Sequence, residues 1–139
     1  MNKKNTATLL KDFPNLYKQY YLPPTQTCMC WGFDTKDGWY DLIYELSQKL
    51  VIASPETEAT QVKEKFAMLR FYYTSATEEG ANLIDKAEEM SGYICETCGK
   101  PGKLREDLGW YKTLCEKHYQ EKKDPAQLLK KWHRRHKEE

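Results

Sequence analysis

The chain has 139 residues, of which 40% are hydrophobic, 13% aromatic and 31% charged, with a formal net charge of +1. That length suits one compact domain, or one with a small appendage, and excludes two ordinary ones; the apolar and aromatic content builds a core, which excludes disorder away from the ends. No apolar run approaches the ~20 residues of a membrane span, and MNKKNTATLLKDFP lacks the unbroken apolar stretch of a secretory signal, so a cytoplasmic protein with no membrane partner is expected.

From Thr6 to Tyr21, Leu9, Leu10, Phe13, Leu16, Tyr17, Tyr20 and Tyr21 recur at three- and four-residue spacing around Pro14, which predicts two short helical pieces. Pro23-Pro24 stops any helix, and TQTCMCWGF reads as an extended, aromatic-rich strand. On a strand, Cys28-x-Cys30 would put two thiols on one face. They could form a redox pair or, with His133-x2-His136, a second metal site; the simpler reading is two small hydrophobes packed beside Trp31 and Phe33.

In DTKDGWYDLIYELSQKL, Asp37 is the predicted N-cap and Asp41 complements the helix dipole. Trp39, Leu42, Ile43, Leu46 and Leu50 mark the apolar face of an amphipathic helix. Asp34, Asp37 and Asp41 could serve as acid/base groups, but capping and solubility explain them more simply.

The stretch TQVKEKFAMLRFYYT is rich in β-formers and reads either as two strands turning near Ala67-Met68 or as one long bulged strand. Ala-Met is poor chemistry for a two-residue turn. Cations interleave with rings here, and such a surface clamps phosphates while bases stack, so Lys63, Lys65, Arg70 and Tyr72 are candidate nucleotide-binding residues. Alternation makes one face of the same segment core. Thr77 then starts a helix with Glu78 and Glu79 in its first turn, Leu83, Ile84, Ala87 and Met90 on one face, and Gly92 as its stop.

Next come Cys95-x2-Cys98 and Cys115-x2-His118, with sixteen residues between the two pairs. Three thiolates and one imidazole close a tetrahedral zinc shell with no position left for water, which makes one structural zinc ion the expected cofactor. Paired spacing of this kind in a chain without a secretory signal favours zinc over a disulfide framework. Gly99 and Gly102 suit the tight turn that brings amides towards the thiolates. KLREDLGWYKTL reads as a hairpin turning near Asp107 to Gly109, and Cys115 and His118 open a helix. Knuckle, hairpin and ligand-bearing helix start resemble the treble-clef class of zinc fingers over residues 93–123.

Asp124, Pro125 and Gln127 supply the start of a last helix, with Leu128, Leu129 and Trp132 as its apolar stripe and Lys130, Lys131, Arg134 and Arg135 as cations. Charge is uneven: residues 1–91 hold 10 Lys and Arg against 13 Asp and Glu, and residues 92–139 hold 12 against 8, so the two parts stand at −3 and +4. Such a basic end fits an anionic partner and equally a solvated helix face. The expected fold class is α+β, with an N-terminal core over residues 1–92 and a zinc module plus basic helix over residues 93–139, packed as one unit.

Four blocks, GWYDLIYELSQKL, QVKEKFAMLRFYY, CETCGKPG and GWYKTLCEKH, in this order resemble an uncharacterised group of small bacteriophage and prophage proteins, over about residues 13–120. The resemblance implies a zinc-containing protein acting in a bacterial cytoplasm. The group is expected to carry a glycine in the turn after VKEKF, where this chain has Ala67.

There is no G-x-S-x-G, no phosphate-cradling glycine loop and no H-E-x-x-H, so an enzyme is the least supported class. Two binding classes stay open. One presents Lys112, Lys130, Lys131, Arg134 and Arg135 to nucleic acid or another phosphate-bearing ligand. The other is a phage host-takeover or anti-defence protein that blocks a host protein or sequesters a nucleotide immune signal in an aromatic pocket, built by a homo-oligomer.

Overall fold

In a computed structural model, which describes residues 1–123 and His133, the chain is a mixed α+β fold. The expected last helix, with Asp124, Lys130, Lys131, Arg134, Arg135 and His136, lies outside the described residues; His133 itself is helical and exposed.

Asn2 caps the first helix, α1 (Lys3–Asp12), by accepting the Asn5 N–H at 2.7 Å. A 3₁₀ turn at Lys18–Tyr21 is the second short helical piece. The strand expected over TQTCMCWGF is corrected: residues Met29–Trp31 form a 3₁₀ turn, and only β1 (Phe33–Asp34) is extended. The Thr27 hydroxyl accepts the Met29 N–H at 3.0 Å and donates to Thr60 O at 3.2 Å, so a side chain competes with the sheet for this backbone. Met29 is therefore the buried residue, while Cys28 and Trp31 are exposed and Cys30 is half-buried with its thiol donating to Thr27 O. Cys28 is thus no core hydrophobe.

Asp37 is likewise not the cap of the next helix. Residues Asp37–Trp39 form a 3₁₀ turn leading into α2 (Tyr40–Ala53), and Asp37 Oδ1 instead accepts the Asn2 N–H at 2.9 Å and Asn5 Nδ2 at 3.1 Å. The carboxylate ties the starts of two helices together.

β2 (Glu58–Lys65) and β3 (Met68–Thr74) form an antiparallel hairpin, with β1 parallel to β2 on its other side. The turn is Phe66–Ala67, one residue earlier than expected, and a bulge lies between Ala59 and Gln61. Inward, Ala59, Val62, Leu69 and Phe71 meet Leu9, Tyr17, Trp39, Ile43, Leu50 and Ile84 in one buried core. Outward, Gln61 stands opposite Tyr72, Lys63 opposite Arg70 and Lys65 opposite Met68.

Thr77 caps α3 (Glu78–Ser91) by accepting the Gly80 N–H at 3.0 Å, and Gly92 ends it, as expected. α3 runs along the free edge of β3. Ser91 Oγ accepts the Leu69 N–H at 2.9 Å and Glu88 Oε2 accepts the Phe71 N–H at 2.8 Å, so two edge donors are closed to another strand.

The chain ends its described part with a hairpin of β4 (Lys103–Arg105) and β5 (Lys112–Leu114) followed by α4 (Glu116–Lys123). This module is bonded to the core by Gly38 N–H to Glu96 O at 2.7 Å, Trp39 Nε1 to Ile94 O at 2.9 Å and Thr113 Oγ1 to Ala67 O at 2.7 Å. Among the described residues no helix is long and apolar enough to cross a membrane.

Candidate functional site

The Cys/His module builds a ligand cage from three local devices. Gly99, at φ +83, turns the chain so that its N–H donates to Cys95 O at 2.9 Å, which folds Cys95 and Cys98 into one knuckle. The Cys95 N–H bonds Lys100 O at 2.8 Å and the Glu96 N–H bonds Thr113 O at 3.1 Å, so the knuckle lies against β5. Cys115 follows β5 directly and His118 sits in the first turn of α4. Arg105 fastens the hairpin to that helix: its Nε donates to Leu114 O at 3.2 Å, its Nη2 to Glu116 Oε2 at 3.3 Å, and its guanidinium lies 4.2 Å from the Tyr119 ring centroid.

The four sequence-predicted ligands come together: the sulfurs of Cys95, Cys98 and Cys115 and a ring nitrogen of His118 all lie within 4.8 Å of one another. Cys95 Sγ and His118 Nδ1 are 3.7 Å apart, Cys98 Sγ and Cys115 Sγ 3.7 Å, and Cys115 Sγ and His118 Nδ1 3.2 Å. A tetrahedral shell with bonds of about 2.0–2.3 Å sets neighbouring ligand atoms about 3.5–3.8 Å apart, so the residues fit a metal ion. The other ring nitrogen, His118 Nε2, lies 4.0 Å from Glu121 Oε2, a distance too long for a hydrogen bond.

Electrostatics point the same way. Burial raises the Cys95 thiol, but the N–H groups of Cys115, Cys98 and Thr97 and the Cys98 thiol outweigh it and bring the pKa down to about 6. Cys98 is pushed above its ordinary value, by burial first and then by the neighbouring sulfurs. One thiolate forms readily and the next resists, and a cation at the centre removes that conflict. Among the described residues this is the one group of side chains able to hold a metal ion, and Cys28 and Cys30 are not in it; His136, named with them as part of a second site, lies outside the described residues.

Lys112, expected to face a phosphate, is instead drawn inward. Its Nζ donates to Glu64 Oε1 at 2.9 Å and stands 3.7 Å from Glu96 Oε1, a charge contact too long for a hydrogen bond. Glu96, inside the knuckle and buried, takes its direct bond from the Lys36 N–H at 3.1 Å. Burial pushes the Glu96 carboxyl above its ordinary value, and the charges of Lys112 and Lys36 and the Lys36 N–H work against that rise. The sequence hides this, because nothing in CETC marks Glu96 as buried.

Lys63, Lys65, Arg70 and Tyr72 do share one surface, the outer face of the β2–β3 hairpin. Lys63 Nζ lies 5.9 Å from the Tyr72 ring centroid and Lys65 Nζ 5.6 Å from that of Phe66. A shallow cleft of about 520 Å³ is lined by Thr60, Lys65, Phe66, Arg70, Tyr72 and Glu88, among others. Lys63 and Arg70 are directly opposite across the strands, a like-charge pair that costs stability. Among the described residues none of Lys63, Lys65 and Arg70 is in an ion pair; Asp34 is the register neighbour of Lys63, and Arg70 lends its charge to Glu88 without bonding it.

Compared with family models, curated proteins and solved structures, the chain matches none, so the reading of its function rests on the two surfaces described above.

Proposed function

We propose that this is a non-enzymatic, zinc-stapled binding protein that engages an anionic, ring-bearing partner, nucleic acid or nucleotide, through the outer face of the β2–β3 hairpin. The observation that carries it is the facing pair Lys63 and Arg70, opposite each other, in no ion pair among the described residues, and flanked by Tyr72, Lys65 and Phe66. Adjacent cations repel in the free protein and are relieved by a bound phosphate, while the rings offer flat faces to bases. Under the phage resemblance, such a partner would be met in a bacterial cytoplasm.

Zinc is the ion of choice for this donor set, because three thiolates and an imidazole at tetrahedral spacing leave no position for water. The role is structural, since a closed shell has nowhere to activate a substrate.

Native mass spectrometry should find one zinc ion per chain in the wild type and none in Cys115→Ala, with residues 93–123 losing hydrogen-exchange protection first. A Cys115→Ala protein with full metal content would remove the assignment. For the partner, affinity for a mixed-sequence oligonucleotide should fall steeply with salt and drop further in Lys63→Glu/Arg70→Glu. Binding that ignores both salt and charge reversal would end the proposal.

A further inference from the structure

The hairpin tip is built against the local preferences of its own residues. Phe66 (φ +53) and Ala67 (φ +69) both occupy the left-handed region, which suits a two-residue hairpin turn but disfavours every side chain with a Cβ. The fold holds this turn from several directions. Glu64 Oε2 accepts the Ala67 N–H at 3.0 Å, Thr113 Oγ1 donates to Ala67 O at 2.7 Å, and Lys112 anchors Glu64. Ala67 is buried by this clamp, yet Phe66 is left 65% exposed. A strained, clamped turn that holds a ring out in water is the arrangement found where strain serves recognition.

From Phe66 the outer face runs through Lys65, Arg70 and Lys63 to Tyr72, 43% exposed. Tyr72 stands opposite Gln61, five residues back along the chain from Phe66, so the two rings are set about 16 Å apart at strand rise. A single nucleotide would need enclosing walls to bury most of its surface, whereas this cleft is shallow, and along the hairpin Lys65 and Arg70 come between Phe66 and Tyr72, with the Glu88 carboxylate at its side. A duplex would keep its bases stacked away from such rings. Charge and ring order together fit a chain of phosphates with free bases.

Resting on the proposed function, we infer that the hairpin's outer face is a track for single-stranded nucleic acid, with Phe66 and Tyr72 as stacking platforms and Lys63, Lys65 and Arg70 as phosphate contacts. Selectivity comes from the unpaired state of the bases, since rings stack on any base.

The test uses full-length protein and fluorescence anisotropy with labelled oligothymidine of increasing length, thymidine monophosphate and a duplex. Affinity is expected to climb from the mononucleotide to a level reached within a handful of nucleotides, with the single strand bound more tightly than the duplex. Phe66→Trp should keep binding, while Phe66→Leu and Phe66→Gly lose about tenfold or more, the range for one base-stacking ring. Equal affinity for the mononucleotide, preference for the duplex, or unchanged binding in Phe66→Leu and Phe66→Gly would each overturn the track. An absence of salt-sensitive binding to any of these ligands would instead remove the proposed function beneath it.

Discussion

Phe66 and Ala67 share one backbone conformation, but replacing each with glycine should have different results. A left-handed residue with a Cβ costs roughly 1–2 kcal/mol, and glycine returns part of that gain as unfolded-chain entropy, roughly 0.5–1 kcal/mol. Because the Phe66 ring is mostly exposed, Phe66→Gly should stabilise the protein by about 0.5–1 kcal/mol. Ala67 is 1% exposed, and losing its buried methyl costs about 0.8 kcal/mol, so Ala67→Gly should be near neutral. Urea midpoints at constant slope measure both; a Phe66→Gly protein less stable than wild type would show that the ring holds the turn. Paired with the binding loss argued above, the gain would mark Phe66 as kept for recognition. At this scale the candidate metal cluster was legible, because two C-x2 pairs are local in sequence. The Phe66–Ala67 turn was not, because its clamp comes from Lys112 and Thr113.

Among elements, α3 has the most to do with keeping the hairpin single. Its helical spacing, Thr77 cap and Gly92 stop are plain in the sequence, while its position along β3 depends on Ser91 and Glu88 meeting strand amides more than fifteen residues away. TQTCMCWGF failed for a related reason: Thr27 took the Met29 amide, a choice that residue type alone does not announce. Glu88 allows a pH test. Burial raises its carboxyl above the ordinary range, against the lowering by the Phe71 N–H and the Arg70 charge. The folded state therefore holds the proton to higher pH than the unfolded chain. That contribution is complete below the unfolded carboxylate value of about 4.3 and is lost as pH rises through the folded value. Glu88→Gln keeps an acceptor oxygen for the Phe71 N–H and never ionises. It should equal wild type in acid and become the more stable protein towards neutrality. Denaturation series of both proteins across that window check the sign, and a gap that shrinks as pH rises would contradict it.

In the molecule as a whole, the core and the Cys/His module meet along a seam with no room for a side chain at Gly38. A Cβ there would lie 2.2 Å from Cys95 O and 2.4 Å from Glu96 O, both backbone atoms of the knuckle that carries two of the four ligands. The order of core helix, β-rich segment and metal motif was legible from periodicity and spacing, while the choice between a hairpin and one bulged strand stayed open. This seam was not, because DGW reads as an ordinary turn before a helix. Gly38→Ala forces the knuckle away from the core, and overpacking of this kind costs about 1–3 kcal/mol. Cys95 O also accepts the Gly99 N–H, so the displacement reaches the turn that sets Cys95 against Cys98. Metal affinity should therefore fall by about tenfold or more, the range for changes just outside a ligand shell. Gly109→Ala is the control: at φ +91 with no atom within 4 Å of its Cβ, it adds backbone strain and no collision. It should lower stability by roughly 1–2 kcal/mol and leave metal affinity alone. Competition with a chromophoric chelator reads both variants. If Gly38→Ala lost stability but bound the metal as tightly as wild type, the seam and the ligand cage would be mechanically independent.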